Sequence, residues 1–101
     1  MIVVTLWKAR QGLTADQQAQ GFARRVQWQP KGRMLAEYWF QGSGADEPAG
    51  LTIADVTDVS QLFEDLATWQ DLLEVRSYIA VSAEDGLRLG QQLGLAQVAA
   101  R

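Results

Sequence analysis

Apolar and polar positions in this chain follow two different periods, and the switches between them mark out seven segments. Ile2 to Trp7 is a β-branched, apolar run with almost nothing polar on either face, the pattern of a strand covered on both sides. Gly12 breaks the run. Ala15, Ala19, Phe22, Ala23 and Val26 then recur at helical spacing and form one apolar stripe. Pro30-Lys31-Gly32 predicts a turn, and Met34 to Gln41 an aromatic-rich strand. Leu51 to Val56 reads as a third strand. Val59, Leu62, Phe63, Leu66 and Ala67 form the clearest amphipathic stripe of the chain. Leu73 to Val81 predicts a fourth strand, and a last helix runs to about Gln97.

Helix-start chemistry supports these assignments. Thr14 with Gln17 predicts a capping box, in which each side chain satisfies a backbone donor of the first turn. Asp58 with Gln61, and Ser82 with Asp85, repeat the signal before the second and third helices. The order strand, helix, strand, strand, helix, strand, helix is the split βαβ, or ferredoxin-like, pattern with one extra C-terminal helix. The expected fold is therefore α+β, with a four-stranded antiparallel sheet, and residues 1–101 are expected to form one domain. The segment from Gln41 to Gly50 carries glycines, Pro48 and two acids, so it is expected to be the most mobile internal loop.

Two helices on one face of such a sheet leave the other face bare, and alternation divides the strand residues between them. Ile2, Val4, Leu6, Met34, Ala36, Tyr38, Phe40, Leu51, Ile53, Val75, Ser77, Ile79 and Val81 are assigned to the helices. Val3, Thr5, Trp7, Leu35, Glu37, Trp39, Thr52, Ala54, Arg76 and Tyr78 are assigned to the bare face. That second set is too apolar for water and too charged for a sealed core, which predicts a homodimer through this face with a partly polar cleft. Trp7, Glu37, Trp39, Arg76 and Tyr78 are the candidate binding residues of the cleft, with Glu37 meeting Arg76 of the partner.

Composition mainly excludes. Hydrophobic residues make up 48% and charged residues 21% of the 101 residues, an ordinary globular balance. The net charge of −3 and the lack of a basic cluster argue against nucleic acid. Arg24 and Arg25, the only adjacent basic pair, read as a solvated helix face. No stretch is apolar enough to span a membrane, and no basic region precedes Ile2, so a soluble, cytoplasmic protein is expected. The chain has no Cys, His or Asn. That removes thiol chemistry, the usual neutral-pH base and the commonest metal ligand, so neither a cofactor nor a metal is expected. Ser43 sits between Gly42 and Gly44 without a base, and Asp46, Glu47, Asp55 and Asp58 match no cation-binding loop. Gly86, Gly90 and Gly94 recur every four residues on the last helix, which reads as close packing or a weak helix.

The stretch from Gly50 through Val81, with Leu51-Thr52-Ile53-Ala54-Asp55, Trp69-Gln70-Asp71-Leu72-Leu73 and a strand ending Ala80-Val81, resembles a bacterial family catalogued as domain of unknown function 3303. Trp39 and the Trp69-to-Leu73 segment carry the likeness. It implies a dimeric α/β-barrel, in which two ferredoxin-like sheets pack face to face, and brings no activity with it. Where the family favours Trp-His on the second strand, this chain has Trp39-Phe40. The expected function is a dimeric domain that binds a small molecule or a protein partner without catalysis. The alternative is a cofactor-free enzyme of the small barrel type, monooxygenase- or isomerase-like, acting on an aromatic or lactone substrate.

Overall fold

A computed structural model describes residues 1–94. Strand β1 (Ile2–Ala9) leads into helix α1 (Ala15–Gln27), followed by strands β2 (Arg33–Trp39) and β3 (Gly50–Asp55). Helix α2 (Val59–Trp69), strand β4 (Leu73–Ala80) and helix α3 (Ala83–Gln92) complete the order. The element sequence βαββαβα and the four-stranded sheet are those expected.

The helices start where capping chemistry places them. Thr14 accepts from the Gln17 backbone N–H while the Gln17 side chain accepts from the Thr14 N–H, closing a capping box. Asp58 accepts from the Ser60 N–H, and Ser82 from the Asp85 N–H. Gln61 departs from the expected arrangement: its side chain accepts from the N–H and hydroxyl of Thr57 instead of closing on Asp58. Helix α3 ends at Gln92, short of the expected Gln97, because Gly94 takes a left-handed conformation at φ 75°. Gln97 itself lies outside the described residues.

The sheet order is β2-β3-β1-β4, antiparallel throughout. Its register settles which face is covered. Arg25 of α1 reaches Glu37, and Phe22 of α1 packs edge-on against Trp39, so α1 lies over the face that carries Glu37 and Trp39. Val3, Thr5, Trp7, Thr52 and Ala54 belong to the same face. The assignment made from alternation is thus inverted on β1 and β3 and correct on β4. On β1 both faces are apolar, and alternation among apolar residues carries no sign. On β2 a bulge between Met34 and Ala36 shifts the register, so Met34 and Glu37 share a face although they are three positions apart.

The uncovered face consists of Ile2, Val4, Leu6, Leu51 and Ile53 on the central strands, with Tyr38, Arg76 and Tyr78 on the edges. Helix α3 does not cover it, since Leu87, Leu89 and Leu93 are all exposed. A Cβ at Gly86 would meet only Val81, at an ordinary contact distance, so no close helix packing depends on this glycine.

Arg24 and Arg25 are tethers, not a solvated face. Arg24 donates to the Thr68 carbonyl and pairs with both Asp71 oxygens at 2.8 and 3.0 Å, tying the end of α1 to the end of α2. Trp28 packs edge-on against buried Trp69 beside this pair. Asp65 of α2 accepts from the backbone N–H groups of Lys31 and Gly32, which holds the turn into β2. The Gln41–Gly50 loop is closed by its own bonds: Ser43 donates to the Pro48 carbonyl, and the Glu47 side chain accepts from the Gly44 N–H. Ala49 donates to the Trp7 carbonyl and anchors the loop to β1.

Candidate functional site: a cavity between helices and sheet

Helices α1 and α2 enclose a cavity of about 490 Å³ against the sheet. Register arranges its floor in three rows. Val3, Ala54 and Met34 form an apolar row, whose continuation on β4, Ile79, is exposed outside the cavity, and Val75, Trp7, Gly50 and Trp39 form a row that contains two indoles. Between them runs a polar register row, Ser77, Thr5, Thr52 and Glu37, of which Thr5, Thr52 and Glu37 line the cavity. The Thr5 and Ser77 hydroxyls are hydrogen-bonded at 2.8 Å.

Gly50 makes the indole row fit. A Cβ there would overlap the Trp7 ring and fall 2.6 Å from the Tyr38 carbonyl oxygen. Without that Cβ, Trp7 lies over the β3 backbone and meets Trp39 edge-on at 6.0 Å between centroids. Trp39 meets Phe22 in the same way at 6.2 Å. Trp28 and Trp69 also line the cavity, so all four tryptophans of the chain border one space.

Among the described residues, Glu37 is the only charged one that the sheet contributes to the cavity, while α1 and α2 contribute Arg25 and Asp65. The Glu37 carboxylate accepts from Arg25 Nε at 3.0 and 3.2 Å and from Trp39 Nε1 at 2.8 Å. The side chain is 15% exposed. Burial of a carboxylate that deep is costly unless it is paired, and here a guanidinium and an indole N–H supply the pairing. The Arg25 guanidinium in turn stacks over Trp28 at 5.6 Å. The result is a carboxylate of fixed orientation. Two donors occupy it, and an ionised carboxylate has about four acceptor sites.

Of the five residues expected to line one cleft, the fold brings three together. Trp7, Glu37 and Trp39 border the cavity, whereas Arg76 and Tyr78 lie on the opposite face of the sheet. The expected pairing of Glu37 with Arg76 is replaced by Glu37 with Arg25 of the same chain. Phe22, read as part of a helix stripe, Arg25, read as a solvated face, and Trp28 and Trp69 are not among the residues the sequence places in the site, though Phe22 and Arg25 are one helical turn apart on α1. Among the described residues, no three carboxylates stand close enough to hold a metal ion, and no helix is long and apolar enough to cross a membrane.

Residues 1–94 match the family described as Domain of unknown function (DUF3303). The chain is a member of the DUF3303 family. No curated protein matches it. Membership of DUF3303 assigns no chemistry, so the function of this DUF3303 domain has to be read from its own cavity.

Proposed function

We propose that this domain binds a small, largely apolar molecule in the cavity between its helices and sheet, without catalysis, and that it works as a homodimer joined through the uncovered sheet face. The observation that carries the binding reading is the gathering of all four tryptophans around a space of about 490 Å³, a size typical of ligand pockets. Binding is favoured over catalysis because Arg25 and Glu37 already pair with each other, and the hydroxyls nearest in register, Thr52 and Thr5, have no basic side chain beside them other than this engaged carboxylate among the described residues.

The dimer reading rests on the other face. Ile2, Val4, Leu6, Leu51 and Ile53, each half-buried, form a contiguous apolar surface that no helix among the described residues covers. The chain exposes 7522 Å². A compact monomer of its 11.2 kDa mass would expose about 5,700 Å². That excess belongs to the whole molecule, exposed Phe22, Phe63 and Leu87 included, so the dimer reading rests on the contiguity of the five strand residues and not on the total area.

Native mass spectrometry of the purified protein tests both halves together. The expected result is twice the chain mass, with a retained small molecule or with one taken up on addition. A bare monomer whose tryptophan fluorescence no added aromatic compound changes would overturn the proposal. A second reading, the cofactor-free enzyme, draws on the fixed orientation of Glu37, which suits a general base. Chemical conversion of the bound molecule would select it.

A further inference from the structure

The geometry points to a ligand of one chemical class: a neutral aromatic compound bearing a hydroxyl, of the phenol type, with its O–H donated to Glu37. This rests on the binding reading above and names what the cavity selects. Trp7, Trp39 and Phe22 offer ring surface. Flat apolar molecules gain contact area against such walls at little entropic cost.

The polar end then discriminates. An ionised carboxylate can only accept, and Glu37 keeps acceptor capacity after its bonds from Arg25 and Trp39. A ligand O–H would make a charge-assisted hydrogen bond there, roughly twice the strength of a neutral one. A ligand carboxylate would meet Glu37 instead of a free cation, because Arg25 is already engaged. A ligand with no donor would leave the carboxylate facing apolar atoms where water had been, which costs affinity. Thr52, the register partner of Glu37, places a second hydroxyl beside this position.

Equilibrium dialysis at pH 7 with three two-ring probes reads the selection. 2-Naphthol carries the donor, 2-methoxynaphthalene lacks only that proton, and 2-naphthoate carries a negative charge. The expected order is 2-naphthol tightest, by about tenfold or more over 2-methoxynaphthalene, with 2-naphthoate weakest. Glu37→Gln should bring 2-naphthol and 2-methoxynaphthalene close together, and Thr52→Val should keep most of the difference. The comparison on the unaltered protein stands even where a variant folds poorly. Equal binding of 2-naphthol and 2-methoxynaphthalene, or tightest binding of 2-naphthoate, would overturn this inference and leave the cavity reading in place. Failure of all three to bind would overturn both.

Discussion

The carboxylate of Glu37 accepts the indole N–H of Trp39 at 2.8 Å, a bond between two residues of the same strand on the same face. It couples a wall of the cavity to the charge on its floor. Trp39→Phe keeps the ring and removes the donor. We expect a loss of about 1–2 kcal/mol in urea unfolding, toward the low end because Trp39 is half exposed. The oligomeric state should not change, since Trp39 lies under α1 and not on the uncovered face. Dissociation of the variant into monomers would contradict this placement.

Gly50 should tolerate no side chain. Gly50→Ala drives a methyl into Trp7 and the Tyr38 carbonyl, so the indole must move or the β2–β3 ladder must open. A destabilisation of about 1–3 kcal/mol is expected, the range for overpacked sites. Altered near-ultraviolet circular dichroism from Trp7 should accompany it. An unchanged melting temperature would mean that Trp7 does not rest on this strand.

Acid should weaken the fold through its caps and tethers. The Ser60 backbone N–H holds the Asp58 carboxyl below its ordinary value, and the Arg24 hydrogen bond does the same for Asp71. A carboxyl whose pKa is lower folded than unfolded adds stability above the unfolded value. That stability is lost as pH falls through the folded value. Melting temperature should therefore hold between pH 5 and 7, as far as these groups contribute, and decline below about pH 4. Asp58→Asn keeps an effective cap and removes one titration, so its decline should be shallower. An identical acid profile for the variant would show that the cap carries no linkage.

The uncovered face should respond to charge at its centre. Val4 and Ile53 are register partners on the two central strands. Val4→Lys or Ile53→Lys would bury an unpaired charge in the proposed interface and weaken the dimer about 30-fold or more, the effect of a ~2 kcal/mol hot spot. Sedimentation velocity at micromolar concentration would read it. Tryptophan emission should stay as it is, because every tryptophan is on the other side of the sheet or at its edge. A wild-type monomer, or dimers unaffected by both lysines, would remove the interface.

The order of elements and the helix starts were legible because each has a local cause. Period-two and helical patterns show in β1 through α3, and the Thr14–Gln17 box sits within four residues. The faces were not legible, because their cause is distant. Nothing within Ile2–Trp7 says which side α1 will cover when both sides are apolar. A charge on a strand normally points to water, so Glu37 was assigned to the bare face. It enters the cavity only because Arg25, twelve residues earlier on the preceding helix α1, pairs with it. On β4, Arg76 and Tyr78 alternate with Val75 and Ser77, and that clear contrast gave the right answer.

The bulge at Leu35 makes the length of β2 negotiable at one point. Met34 pairs with Ala54 and Ala36 with Ile53, so Leu35 has no partner of its own. Deleting it would turn the strand into a regular ladder and leave Glu37 opposite Thr52 and Trp39 opposite Gly50. A deletion within the run from Glu37 to Trp39 would instead exchange the two sides of the sheet for the residues beyond it, sending cavity groups to the outer surface. A family member shorter by one residue at this position would therefore present the same side chains to its cavity.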